Sequence, residues 1–386
     1  MVRSFKNLTV VEVQHTTFAW GTTHMLANFL RQECVLFVYL QHPFEHFRFY
    51  GARISIYGRG KEVRTRALSS TRAPIPLLLL RDLAVTLLYV VSMKRRFHLY
   101  IGADALNAFS GIVLRSVGLV SRNLFYAIDW SPRRFDNTVA NRIYHIVQRW
   151  VARRSDFVWC ASDRIELAFA RLGVGRSKLS VVPPGVDLNR AKGYAGSPPV
   201  DRGCMIFIGS LTQEKGLQLV VDAMASIREV CPSATLKIIG TGPYEKVLRQ
   251  KASLLEPTVV EFLGRLGNQD EALRVIAQSA IGLATYHPND RSYSGFAFPG
   301  KVIEYMACGL PVIATRTHEF MDRIEKSRAG ILIDYDKSQF VNAAVSLMTN
   351  DVLYQQLRKN AIALASEFDY RAIFEKALAR IWEGLE

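Results

Sequence analysis

Cysteine is scarce in this chain, five in 386 residues, and no two are spaced as C-x-x-C. Cys34, Cys160, Cys204, Cys231 and Cys308 have mostly apolar neighbours. That pattern reads as buried thiols in a reducing compartment, without disulfides or a zinc site. Acidic side chains are also short, 34 against 49 Lys+Arg, for a net charge of +15. Long apolar runs are missing. The most apolar stretch, Ile75–Met93, is broken by Arg81 and Asp82 into pieces of 6 and 11 residues. A membrane-spanning helix needs roughly 20. The stretch is expected to be a buried helix on a sheet, or else a helix lying in a membrane interface, with Lys94-Arg95-Arg96 at its end. No signal-peptide pattern opens the chain, since Met1–Lys6 leads straight into a strand-like run. Low-complexity tracts and short repeats are absent too. With 49% hydrophobic residues, disordered and collagen-like classes are excluded.

What is present is unevenly placed. Residues 1–190 carry 27 Lys+Arg against 12 Asp+Glu, whereas residues 191–386 carry 22 of each. The first half therefore holds the whole excess. That suggests an anionic partner for it, lipid head groups, a phosphorylated substrate or nucleic acid, or else a plain soluble basic surface.

Short β-rich runs alternate with helix-length segments in both halves. Strands are predicted at Leu8–Val13, Val35–Tyr39, Ile54–Tyr57, His98–Ile101, Asn123–Ile128, Phe157–Cys160 and Leu179–Val182. The pattern restarts after Pro183-Pro184-Gly185, with Asp187–Arg202 reading as a linker. Strands follow at Cys204–Ile208, Thr235–Ile239, Val259–Leu263, Ile281–Thr285 and Pro311–Ala314, and mostly helical stretches finish the chain. Such alternation predicts two α/β domains with parallel sheets covered on both faces. Their boundaries are set at residues 1–190 and 203–365, with a C-terminal helix over 366–386. Open α/β sheets bind ligands at the carboxyl ends of their strands, so the chemistry is expected in loops facing a cleft between the domains.

The most informative segment is Ser294–Thr315, SGFAFPGKVIEYMACGLPVIAT. Pro299 and Gly300 break the chain before a short helix that carries Lys301 in its first turn and Glu304 one turn on. A lysine at a helix N-terminus opposes the macrodipole. An anion bound there would reverse that penalty, because the free N–H groups and the ammonium would both face it. Glu304 could accept two hydrogen bonds from a sugar diol such as a ribose, or could simply cap the helix.

The run P-x-K-x-x-E-Y-M-A-C-G-L-P-V-I-A resembles the donor-binding segment of GT-B glycosyltransferases, family 4 in particular. The resemblance implies that Glu304 holds the nucleotide ribose, and that the loop Tyr293-Ser294-Gly295-Phe296 cradles the diphosphate and donor sugar. Phe207-Ile208-Gly209-Ser210-Leu211 with Glu214-Lys215-Gly216 is similar to the opening of the family's C-terminal domain. Lys215, read as lying in the first turn of a helix, is then a diphosphate contact. Ile238–Pro243, with Gly240 and Gly242, resembles the glycine loop near the base, and Val259–Gly264, with Leu263, the strand before the base-contacting loop. In the first half, Val181–Asp187 resembles the interdomain segment, and Gly21 stands where these enzymes place a glycine loop beside the phosphates. Many relatives carry a functional His at the strand end that here holds Asp129, our candidate for a polar residue on the acceptor side. Asp129 could equally cap a helix or pair with Arg133. Asp104 is expected to cap the next helix, with Asn107 as a candidate acceptor contact.

The resemblance spans about residues 8–365 and implies a GT-B fold of two Rossmann-like, doubly wound domains. Two positions depart from it. Phe296 stands where a glutamate usually precedes the ribose glutamate, and Ser210 where a basic residue often follows the glycine. The implied activity is retaining hexosyl transfer from a nucleotide-sugar, UDP-linked by preference, to a glycan or lipid-linked acceptor. The catalytic candidates are Lys215, Lys301, Glu304 and Asp129. No cofactor or metal is expected: the chain is read as holding no D-x-D motif to argue for a divalent ion, and fixed cations could stabilise the leaving diphosphate. The last helix is expected to cross back to the first domain, as in relatives. The cytoplasm is the expected location, at most peripheral on the inner membrane face, and no nucleic acid is expected as partner. The alternatives are a sugar-nucleotide epimerase of the same fold, a non-catalytic glycosyltransferase-like subunit, or a basic nucleic-acid-binding protein.

Overall fold

The computed structural model describes residues 5–16, 21–43, 51–69, 73–195, 202–288 and 295–381. The chain divides into two compact units, Met1–Pro184 with Arg371–Glu386, and Gly185–Tyr370.

The first unit is built on strands β1 (Thr9–Thr16), β2 (Leu36–Pro43), β3 (Arg53–Gly58), β4 (Lys61–Ala67), β5 (Phe97–Gly102), β6 (Val120–Ala127), β7 (Phe157–Cys160) and β8 (Leu179–Val181). They lie in the order β4-β3-β2-β1-β5-β6-β7-β8. Six of them run parallel, but β3 and β4 form an antiparallel edge hairpin. The all-parallel expectation fails there for a local reason. Arg59 and Gly60 both take positive φ, 47° and 83°, as a two-residue hairpin turn matched to strand twist requires. Every β4 side chain is exposed, so no hydrophobic alternation marks it in the sequence.

Period-two alternation gives β1 and β2 two buried faces. On one face Val11, Val13, Val38 and Leu40 cluster with Val90 of α2 (Ile75–Ser92) and Leu114 of α3 (Ala105–Ser116). In the same unit the Phe374 ring lies 6.2 Å from Phe29 and 6.4 Å from Trp159. Helix starts are fixed by side-chain caps: Asp104, Asn137 and Ser162 each accept a hydrogen bond from the backbone N–H three residues on.

Helix α2 differs from the expectation of a helix buried on a sheet. It is a single 18-residue helix whose fully buried positions are only Leu78, Asp82, Thr86 and Val90. Among the described residues it is the one helix long and apolar enough to cross a membrane, and 22% of that window is buried. Asp82 does not interrupt it because its carboxylate is turned inward and paired, as described below.

The second unit carries a six-stranded, wholly parallel sheet in the order β11-β10-β9-β12-β13-β14. Its strands are β9 (Cys204–Ile208), β10 (Thr235–Ile239), β11 (Val260–Gly264), β12 (Ile281–Ala284), β13 (Val312–Thr315) and β14 (Gly330–Ile333). The expectation of mostly helix after Ala314 missed β14, a four-residue run that periodicity cannot separate from helix. The expected linker is also partly helical, over Leu188–Ala195. There Arg190 donates to Asp270 at 2.6 Å and to Gln269 at 2.9 Å, which ties the segment to the unit's body.

Candidate functional site

All six strands of the second sheet end on one edge, and their order reverses between β9 and β12. That switch point is where helices on opposite faces part and leave a crevice for ligand. The chain leaves β9 at Gly209 (φ 144°) and β10 at Gly240 (φ 134°). A Cβ on Gly240 would fall 1.9 Å from the Gly209 carbonyl oxygen, and one on Gly242 would fall 2.3 Å from that of Leu211. Only glycine lets these two loops touch backbone to backbone. They are also hydrogen-bonded: Gly209 N–H donates to Ile239 O at 2.9 Å and Leu211 N–H to Thr241 O at 3.0 Å. Gly240 N–H donates to Gly264 O at 2.7 Å, which brings in the end of β11 beside half-buried Leu263.

Two lysines converge beside this floor. Lys301 is the second residue of helix Gly300–Ala307. Its Nζ lies 4.1 Å from the Phe207 ring centroid and 5.6 Å from that of Tyr286. The ammonium is fully covered and has no hydrogen-bond partner among the described residues. Lys215 places its Nζ 5.0 Å from the same Tyr286 ring. Burial, and then the Lys215 charge, hold the Lys301 ammonium well below the usual lysine range, with Glu304 pulling the other way. Burial pushes the Glu304 carboxyl up to about 7, against a Gln269 hydrogen bond and the Lys301 charge. The Tyr305 hydroxyl accepts from Ile208 N–H at 2.8 Å and pins this helix to the end of β9.

Lys215 is not in the first turn of a helix, as the sequence suggested. It closes a 3-10 turn, Gln213–Lys215, and Gly216 at φ 71° separates it from the helix Leu217–Val230. A Cβ at Gly216 would meet Thr285 O at 1.7 Å, so the break is fixed by packing against the end of β12. Ser210 is exposed, Gly295 buried and Phe296 half-buried. Tyr293 and Ser294 lie outside the described residues. The expectation that no D-x-D is present is wrong: Asp334-Tyr335-Asp336 follows β14. Asp336 caps a helix by accepting from Gln339 N–H at 2.8 Å, and Asp334 accepts from Gln339 Nε2 at 3.1 Å.

The first unit gathers its own polar residues at strand ends. Its order reverses between β1 and β5. There His15 Nδ1 lies 2.8 Å from Asp104 Oδ2 and its Nε2 lies 3.5 Å from Asp82 Oδ2. His42 Nδ1 lies 3.4 Å from Asp82 Oδ1, and Arg81 approaches the same oxygen at 2.6 Å. Burial disfavours a charged His15, but the Asp104 charge and hydrogen bond, with those of Asp82, outweigh it and raise the imidazole to about 10. Asn107 is buried and donates to Asp104 at 2.5 Å. Its amide is therefore engaged within this cluster. His15 was not singled out in the sequence. Its partner is 89 residues away, and only the pairing of β1 with β5 joins them.

Asp129 is elsewhere, beyond the end of β6, 4.0 Å from Arg134. Neither structural expectation for it holds: Asn137 caps the helix, and Arg133 pairs with Asp136 at 3.4 Å. Gly21 is the N-cap of the helix Thr22–Glu33 with φ −147°, and a Cβ there would meet nothing within 4 Å. Among the described residues, no close approach requires glycine at that position.

The second unit thus offers a glycine floor, two convergent ammonium groups and a carboxyl one helical turn away, which suits an anion joined to a diol. Residues 202–350 match the family model "Glycosyl transferases group 1". The structure superposes on Anabaena HepE in complex with UDP-glucose with a TM-score of 0.70, at 18% identity, over 98% of this chain and 100% of that one. The fold is GT-B, and the second unit carries the glycosyltransferase family match. It is 24% identical over 282 residues to the putative colanic acid biosynthesis glycosyltransferase WcaL of Escherichia coli, covering 70% of this chain and 67% of that relative. It is 25% identical over 283 residues to a GDP-mannose-dependent phosphatidylinositol monomannoside mannosyltransferase of Mycolicibacterium smegmatis, covering 69% of each. Several other curated relatives are spanned over only 52–64% of their length.

Proposed function

We propose that this enzyme transfers a hexosyl group, with retention, from a UDP-sugar to a glycan or lipid-linked acceptor at the inner face of a membrane. The observation that carries the donor part is the Lys301 ammonium, enclosed over two aromatic rings with no hydrogen-bond partner among the described residues. A buried cation with no hydrogen-bond partner is costly, and a diphosphate between Lys301 and Lys215 offsets that cost. As the bond from the anomeric carbon to the diphosphate oxygen breaks, the two ammonium groups stabilise the leaving charge. The new bond forms to the acceptor oxygen on the same face, and the acceptor proton passes to the departing phosphate. No metal or cofactor is assigned a step. Glu304 holds the ribose diol, and its half-protonated carboxyl can both donate and accept. UDP is favoured because HepE was crystallised with UDP-glucose. The relative named for GDP-mannose keeps GDP as the competitor.

A lipid-linked acceptor is supported by that same relative, named for a phosphatidylinositol mannoside, and by the exposed aliphatic face of α2. The test is a thermal-shift panel of UDP, GDP, ADP and TDP on wild type, Lys215→Ala and Glu304→Ala. One nucleotide should raise the wild-type Tm by several degrees and neither variant's. A flat panel on folded wild type would sink the donor reading in favour of a non-catalytic subunit.

A further inference from the structure

A second surface of the first unit is built the wrong way round for a soluble helix. Helix α4 (Thr138–Arg154) buries only Gln148, Val151 and Ala152. Its larger apolar side chains point outward: Val139 is 67% exposed, Ile143 56% and Ile146 61%, with Val147 and Trp150 beside them. Positions 139, 143, 146 and 150 fall on one helical stripe. Phe135, also exposed, precedes it. A contiguous exposed apolar stripe is informative where scattered exposed leucines are not.

The polar face of the helix itself has one sign. Helix α4 contains Arg142, Arg149, Arg153 and Arg154 and no acidic residue. The Arg154 guanidinium lies 5.3 Å from the Trp150 ring centroid, at the end of the stripe. Helix α3 packs against both α4 and α2. The α4 stripe is therefore one helix removed from the exposed leucines of α2, which ends in Lys94-Arg95-Arg96.

We propose that α4 is a membrane-docking helix, its Val139–Trp150 stripe seated in the interface of an anionic bilayer and its arginines on the lipid phosphates. This deepens the membrane part of the proposed function and rests on it for the acceptor, but not for the donor. An aromatic and aliphatic stripe edged by arginine is what an interfacial helix presents. Anionic lipid complements a helix that carries no acid of its own, the preceding Asp136 being paired with Arg133. A second copy of this chain fits less well, because a two-fold contact through α4 sets each arginine rim against the other.

Flotation of the full chain with vesicles tests this. Wild type should float with phosphatidylcholine vesicles containing phosphatidylglycerol at low salt, and not with phosphatidylcholine alone. Arg142→Gln/Arg149→Gln and Ile143→Ser/Ile146→Ser should each weaken binding about tenfold or more. Their UDP-induced thermal shift should stay as in wild type, which separates this inference from the donor reading. Quenching of tryptophan by brominated lipid gives a second readout, and Trp150→Phe should remove the quenched component. Binding unchanged in both double variants would overturn the proposal. So would a wild-type dimer that Ile143→Ser/Ile146→Ser dissociates, which would assign the stripe to a second copy.

Discussion

A side chain at Gly209 would place its Cβ 2.5 Å from the Lys301 Nζ. The glycine and the lysine are thus fitted to one another: the absent side chain is the space the ammonium occupies. Gly209→Ala should displace that ammonium and, at φ 144°, add backbone strain of about 1–3 kcal/mol. Lys301→Met should leave apo stability unchanged or higher, since a buried cation is replaced by an apolar chain of similar length. Nucleotide affinity should fall by roughly 10–100-fold in both, the scale of a lost charge-assisted hydrogen bond. Calorimetric titration checks this, and undiminished affinity in Lys301→Met would remove the ammonium from the donor site.

Glu304 titrates where it can be followed. Its carboxyl is raised by burial from 4.5 to about 7. It therefore favours the folded state below about 4.5 and loses that contribution as pH rises through about 7. Glu304→Gln should raise the apo Tm at alkaline pH and leave it nearly unchanged in acid. A carboxylate accepts two hydrogen bonds from a diol where an acid accepts less well, so wild-type nucleotide affinity should climb as pH passes upward through about 7. The Gln variant should show a flat profile, and an equal slope in both would place the titrating group elsewhere.

The His15 cluster acts in the same direction over a higher pH window. Its imidazole is raised from 6.5 to about 10 by Asp104 and Asp82 against burial. Its contribution to stability is full below about 6.5 and is lost as pH rises through about 10. Wild-type Tm should fall across that window, and His15→Gln should start lower and fall less. Asp104→Ala, which also removes a helix cap, should cost about 3 kcal/mol near neutrality. A histidine NMR titration with the midpoint still near 6.5 would contradict the assignment.

Chelation should leave transfer untouched. Asp334 and Asp336 are engaged with Gln339, so Asp336→Ala should cost about 1 kcal/mol as a lost cap, with nucleotide affinity unchanged. Loss of transfer on adding a chelator, restored by a divalent ion, would require a metal in the leaving-group step.

Local pattern made much of this legible. Strands such as Phe157–Cys160 and helix Gly300–Ala307 are bounded by turn residues, and the spacing of Lys301 and Glu304 puts them one turn apart. Where side chains fail to alternate, as in exposed β4, or where a run is only four residues long, as in β14, sequence carries no period to read. Lys215 was misplaced because the break at Gly216 is set by a carbonyl at Thr285, a contact between distant segments. His15 and the outward face of α4 are tertiary facts in the same sense. A stripe such as Val139-Ile143-Ile146-Trp150 reads identically whether it turns in or out, and only the sheet beneath decides.

The buried side of α2 reads Leu78, Asp82, Thr86, Val90, a step of four residues at each turn. Around the rest of its circumference the helix is almost uniformly aliphatic, so hydrophobic contact alone would seat it nearly as well at several rotations. The Thr86 hydroxyl at 2.8 Å from His42 and the Asp82 carboxylate between His15 and His42 act as the key in a keyway. They fix the angle about the helix axis, and with it which leucines are on view. A substitution at Asp82 would then read out first as a change in what the outer surface presents, before any loss of the helix itself.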